Sequence, residues 1–187
     1  MLACAALLPD LVTAAASLAS PAPYGAEGLD YFVGMGQDNA DYTRLFLTDE
    51  AAARAQTDED REEVLATSPE DLAKVMESLL APADAAALRG ELAEYLTSSA
   101  QAGQAPGSQG WWDDNCMVRP WGFDLAGITV PVLLLHGRQD MFVPFGHGEW
   151  LAAHIPGVEA RLLDDDGHLT LLQNRVPEVH AWLAEHL

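Results

Sequence analysis

Apolar residues fall into three patterns along the chain. The first nineteen positions are almost all small or apolar. "MLACAALL" reads as a buried helix stopped by Pro9-Asp10. "LVTAAASLA", Leu11 to Ala19, carries no charge and predicts a short strand covered on both faces. After the turn-rich "SPAPYGAEG", the spacing from about Leu29 to Ala102 is helical. Ser68-Pro69-Glu70-Asp71 predicts a helix start, with Ser68 as N-cap, proline in the first turn and acids behind it. Pro82 predicts another start. Leu88, Leu92, Tyr95 and Leu96 form one apolar stripe that Gly103 can end. "TDEDREE", Thr57 to Glu63, reads as a capped, solvated helix start, and "GQAPGSQG" as a loop.

From Trp111 the chain becomes aromatic and irregular, then turns into strand and helix in alternation. "VPVLLLHG" predicts a buried strand opened by Pro131 and closed by Gly137. Gly146 to His154 suits a helix stopped by Pro156-Gly157, and Val158 to Leu163 a second strand. A final helix follows, with Val179, Trp182 and Leu183 on its apolar face and Pro177 near its start. Strand–helix–strand–helix predicts an α/β fold with a parallel sheet and helical crossovers.

Composition narrows the partners. The chain has 187 residues, enough for one domain or a core with an inserted subdomain. Its net charge of −20 argues against nucleic acid and against anionic membrane surfaces. Cys4 and Cys116 make no disulfide framework and no Cys-x-x-Cys pair; both are expected reduced, Cys4 buried. The first twenty residues superficially resemble a secretory signal. They lack a basic residue ahead of the apolar stretch, and Pro9-Asp10 interrupts it, so a soluble cytoplasmic chain is expected. No segment reaches the ~18 uninterrupted apolar residues of a membrane span.

In parallel sheets, function gathers at the carboxyl ends of strands. Asp140 falls just after the strand Val132–Leu135, and His168 just after the strand Val158–Leu163 in "DDDGHLTLL". Adjacent parallel strands would bring the two loops side by side. An aspartate that accepts from one imidazole nitrogen fixes the tautomer of the other and stabilises the imidazolium, which is the acid–base half of a nucleophilic triad. The remaining histidines, His136, His147, His154, His180 and His186, read as structural or partly exposed. Asp164, Asp165 and Asp166 read as a solvated turn rather than a metal site. Trp111 and Trp112 are adjacent and cannot share one helix face; one is a candidate for lining a substrate cleft while the other packs.

At "VPVLLLHGRQDMFVP" and "LLDDDGHLTLL" the sequence resembles the α/β-hydrolase family, with the acid before the histidine in chain order. The resemblance covers Val130 to Leu187 well and the rest less specifically. It implies a partial α/β-hydrolase fold: a few-stranded parallel half-sheet from residues 1–23 and 120–187, with 24–119 as a helical cap. It implies hydrolysis of an ester, amide or similar bond in a small molecule, with Asp140 and His168 in the triad and no cofactor or metal.

One family feature is missing. No Gly-x-Ser-x-Gly nucleophile motif occurs. In "PGSQG" Pro106 stands where the first glycine belongs, and Ser108 lies on the wrong side of the helical insertion. "MLACAALLPDLVTAAASLAS" instead resembles the helix and strand that follow the nucleophile turn. The expectation is therefore a carboxyl-terminal portion, inactive alone. The alternative is a binding or assembly protein, or half of a split hydrolase, that self-associates or pairs with an amino-terminal half through the exposed edge of its first strand.

Overall fold

The structure is a computed structural model that describes residues 1–186. In chain order the regular elements are α1 (Leu2–Leu7), β1 (Ala15–Leu18), α2 (Gln37–Thr48), α3 (Glu50–Ala66), α4 (Leu72–Val75), α5 (Pro82–Ala87), α6 (Glu91–Gln104), α7 (Gln109–Asp113), β2 (Val132–Gly137), α8 (Phe145–His154), β3 (Glu159–Leu163) and α9 (His168–Ala184). Short 3-10 turns punctuate the stretch between α4 and β2.

The three strands form one parallel sheet in the order β1-β2-β3. β2 is central and every one of its residues is buried. Its side chains alternate faces, as a strand requires. Val132 and Leu134 join Leu2 and Ala5 of α1, Leu125, Ile128, and Leu151 and Ile155 at α8. Leu133 and Leu135 face the other way, against Leu171, Val179 and Trp182 of α9. Helices on both faces explain why β2 reads as an uninterrupted apolar run rather than an alternating one. This is the few-stranded parallel sheet with flanking helices that the alternation predicts.

Several elements depart from the sequence reading. The first strand is only Ala15–Leu18, with residues 11–14 as turn, bend and irregular chain. "TDEDREE" is helix interior, not a start: α3 is capped by Asp49, whose carboxylate accepts from the Ala52 N–H at 3.0 Å, and Thr57 is 1% exposed. The Thr57 hydroxyl turns back to the Ala53 carbonyl and pairs with Tyr42 Oη, so it behaves as a core residue. At Ser68 the chain makes a turn before α4 opens at Leu72. Leu88 and Leu92 are separated by a break at Gly90, whose φ of +54° suits glycine, and Tyr95 is exposed. α6 runs through Gly103 to Gln104. Pro177 lies inside α9, because that helix begins at His168. Cys4 is exposed rather than buried. No helix among the described residues is long and apolar enough to cross a membrane.

Candidate active site

The loops that follow β2 and β3 lie against each other at the carboxyl end of the sheet. Gly137 makes this approach possible. A Cβ there would overlap the Asp166 carbonyl oxygen and stand 2.7 Å from that of Gly167. Two backbone hydrogen bonds then join the loops: the N–H of Arg138 donates to Leu163 O at 2.7 Å, and that of Gln139 to Asp166 O at 3.0 Å. Asp166, expected to be a solvated turn residue, is 2% exposed. Its carboxylate accepts from Asn174 and from Arg175 at 2.8 Å each, tying the turn to α9. Asp164 stays at the surface, paired with Arg138.

The structure brings Asp140 and His168 together. The Asp140 side chain is fully buried and both its oxygens are engaged. Oδ1 accepts from the N–H groups of Phe142 and Val143 at 2.8 Å each, which folds the acid loop around it. Oδ2 is 2.9 Å from His168 Nδ1. With a carboxylate on Nδ1, that nitrogen carries the proton and Nε2 is left as the acceptor. The His168 side chain remains 23% exposed. The ring of Phe142 stacks on the imidazole, centroids 4.5 Å apart and 20° between planes. A carboxylate-oriented imidazole whose far nitrogen is free to accept can take a proton from a nucleophile and return it to a leaving group.

Two further histidines frame the acid loop from below. His136 is completely buried; its Nε2–H donates to Val143 O at 2.8 Å, and Nδ1 finds no hydrogen-bond partner among the described residues. Gly148 lets α8 pass directly over that ring, since a Cβ there would stand 2.5 Å from His136 Cγ. His147, expected to be partly exposed, is also fully buried. Its Nδ1 accepts from the Ala22 N–H at 3.1 Å and its Nε2–H donates to Tyr31 O at 2.9 Å, clamping the segment after β1 onto α8. Desolvation pushes the pKa of both below the usual histidine value. Both are neutral when folded and titrate more readily when unfolded. Their contribution to stability is present above about pH 6.5 and lost as pH falls toward the folded-state values. The unfolding free energy from urea titrations should therefore drop between pH 7.5 and 5.5, with a slope below pH 6.5 of up to about 1.4 kcal/mol per pH unit for each histidine. A His147→Gln variant should show a flatter dependence.

The other candidates lie elsewhere. Ser108 is 5% exposed and bonded to Asp58 and Arg54 within the helical segment. Trp112 packs edge-on to Phe46 at 5.3 Å with Arg54 over its face, in a cluster with Tyr31, Ala53 and Val118. Trp111 is half-buried beside it. Neither tryptophan lines the groove of about 630 Å³ that opens beside Asp140, which is formed by residues including Leu29, Val33, Pro82, Met141 and Phe145.

A parallel sheet flanked by helices, with a carboxylate–imidazole pair on the loops after two adjacent strands, defines a class: the chain carries part of the α/β-hydrolase fold. Solved structures of that class superpose on almost all of it. A meta-cleavage product hydrolase from Pseudomonas fluorescens matches with a TM-score of 0.59 and 16% identity over 99% of this chain and 59% of its own. A hydrolase from Pseudomonas aeruginosa gives 0.59 and 19% over 98% and 58%. A bromoperoxidase from Bacillus anthracis gives 0.52 and 20% over 91% and 56%. The chain thus spans a little over half the length of these proteins. Among curated proteins, a pimeloyl-[acyl-carrier protein] methyl ester esterase from Nitrosomonas europaea is 37% identical over 49 residues, 26% of this chain and 19% of that protein. No family model matches the sequence.

Proposed function

We propose that this chain supplies the acid–base half of a serine-hydrolase triad, with His168 as general base and then general acid and Asp140 as its orienting carboxylate. The observation that carries this reading is the 2.9 Å contact between His168 Nδ1 and Asp140 Oδ2 on the loops of neighbouring parallel strands. The bond attacked is an ester, amide or related bond in a small molecule, and the short match to a methyl ester esterase favours an ester. Residues 24–119 act as the cap that selects the substrate, with Leu29, Val33 and Pro82 on the wall of the groove beside Asp140. The nucleophile comes from outside these 187 residues, since no Gly-x-Ser-x-Gly occurs within them.

The isolated chain is the first test. It should give no burst with a p-nitrophenyl ester and no serine labelled by a fluorophosphonate. Stoichiometric labelling of Ser108, or of any other serine here, would overturn the assignment of the nucleophile to another segment.

A second reading, assembly rather than catalysis, is favoured by the sheet's edge. Among the described residues β1 has one strand neighbour, and Leu7, Leu8 and Leu11 beside it are 61, 46 and 78% exposed. An unpaired edge next to exposed apolar side chains invites a partner strand. The isolated chain should self-associate in light scattering coupled to size-exclusion chromatography, and Leu11→Lys should reduce that association. A compact monomer with one cooperative urea transition would count against it.

A further inference from the structure

One buried carboxylate has no part in the chemistry described so far. Asp84 sits on α5, in the segment between β1 and β2, and is 0% exposed. Among the described residues no lysine, arginine or histidine forms an ion pair with it. All its partners lie on the first turn of α9. Oδ2 accepts from the N–H of His168 at 2.7 Å; Oδ1 accepts from the N–H of Leu169 at 3.1 Å, the N–H of Thr170 at 2.9 Å and the Thr170 hydroxyl at 2.9 Å. The Thr170 hydroxyl oxygen in turn accepts from the Gly167 N–H at 2.7 Å. The donors that a helix leaves open at its start are thereby satisfied, and the negative charge stands at the positive end of the helix dipole.

An N-cap is usually the residue just before the helix. In α9 that position is Gly167, which has no side chain to offer, and a Cβ there would stand 2.5 Å from Asp84 Oδ2. The cap comes instead from 84 residues upstream of His168. Apolar packing marks the same junction: Leu169 is buried with Leu88 and Ala93, in a cluster otherwise built from the helical segment.

We propose that Asp84 is a positioning residue for His168, through which the seating of α5 sets where the imidazole stands. The proposal rests on the reading of His168 as the general base. His168 is held at two points: its ring by Asp140 from the β2 loop, and its backbone by Asp84 from the helical segment. Moving the first turn of α9 moves the ring away from Asp140, and a hydrogen bond weakens steeply once its distance or angle is lost.

The experiment reads the imidazole directly. Nitrogen-15 NMR of the histidine-labelled 187-residue chain at alkaline pH should show His168 as a single Nδ1–H tautomer, because the other nitrogen's role is set by the bond to Asp140. Asp84→Asn turns an amide N–H₂ toward backbone donors. It should introduce the Nε2–H tautomer at His168 while leaving the circular dichroism and the tautomers of His136 and His147 unchanged. Thr170→Ser keeps every hydrogen bond and should retain the single tautomer. A folded Asp84→Asn chain with His168 still in one tautomer would overturn the proposal, leaving Asp84 as a helix cap alone. Should Asp84→Asn not fold, Asp84→Glu, which keeps the charge but shifts the acceptor by one methylene, takes its place: mixed tautomers support the tether and a single tautomer overturns it. The general-base reading fails separately, if hydrolysis by a nucleophile-bearing form survives His168→Ala.

Discussion

Joined to a segment that carries a Gly-x-Ser-x-Gly nucleophile, the chain should lose roughly a millionfold in kcat on His168→Ala, the scale seen when the base of a serine triad is removed. Asp140→Asn should cost about 10⁴, because an amide no longer holds the imidazole in the Nδ1–H form. The two losses should not add, since the carboxylate acts only through the ring. The physical reason lies in the site's construction. Asp140 is buried, with Oδ1 committed to the N–H groups of Phe142 and Val143, which leaves Oδ2 directed at His168. Steady-state kinetics with a p-nitrophenyl ester, on wild type and both variants, measures this. A His168→Ala protein that keeps its turnover would remove His168 from the mechanism, and with it the proposed function.

The second large effect is expected at Gly137. Gly137→Ala places a methyl group against two carbonyl oxygens of the histidine turn, those of Asp166 and Gly167. Both belong to backbone, so no flexible side chain can swing aside. Overpacking of this kind should cost about 3 kcal/mol, the upper part of the usual range. The loops can separate only by stretching the hydrogen bonds from Arg138 and Gln139. That separation also carries His168 away from Asp140. In a nucleophile-bearing form, a displacement of ~1 Å should lower kcat about a hundredfold beyond any change in the folded fraction. Urea unfolding gives the first quantity, and kinetics at a temperature where the variant is folded gives the second. A Gly137→Ala chain of unchanged stability would mean that the two loops are looser than their contacts indicate.

What could be read from the sequence was what local pattern controls. β2 was legible because both of its faces are covered, so apolar residues run unbroken from Val132 to Leu135 and glycine ends the run. The meeting of Asp140 and His168 was legible because the loops after adjacent parallel strands end side by side. Residues whose partners lie far along the chain were not. Asp84 looks like an ordinary acid in the first turn of its own helix, yet it caps α9. His147 and His154, seven apart on one helix, suggested a shared exposure. His154 is exposed, whereas His147 is pressed against Ala22 and Tyr31. Asp166 sits in a run of three acids that reads as solvated. Its burial depends on Arg175 nine residues farther on, and only the folded backbone brings them together. Thr57 hides its burial for a related reason: acids follow it in sequence, but the face it shares with Ala53 is the packed one.

The pairing of β1 with β2 joins Ala15 to Val132, so β1 cannot join the sheet until more than a hundred intervening residues have been gathered in, whereas β2 and β3 meet across a short crossover. Closing so long a loop has an entropic cost, but one that grows only logarithmically with length: doubling the intervening segment adds about 0.6 kcal/mol. Two consequences follow. In time, the helices between the strands rest on local contacts and should form early, with the parallel ladder assembling late, as slow non-local pairings do. In evolution, the stretch between Tyr31 and Leu125 can lengthen, shorten or be exchanged at little expense to the sheet, provided that whatever replaces it still delivers a carboxylate to the start of α9.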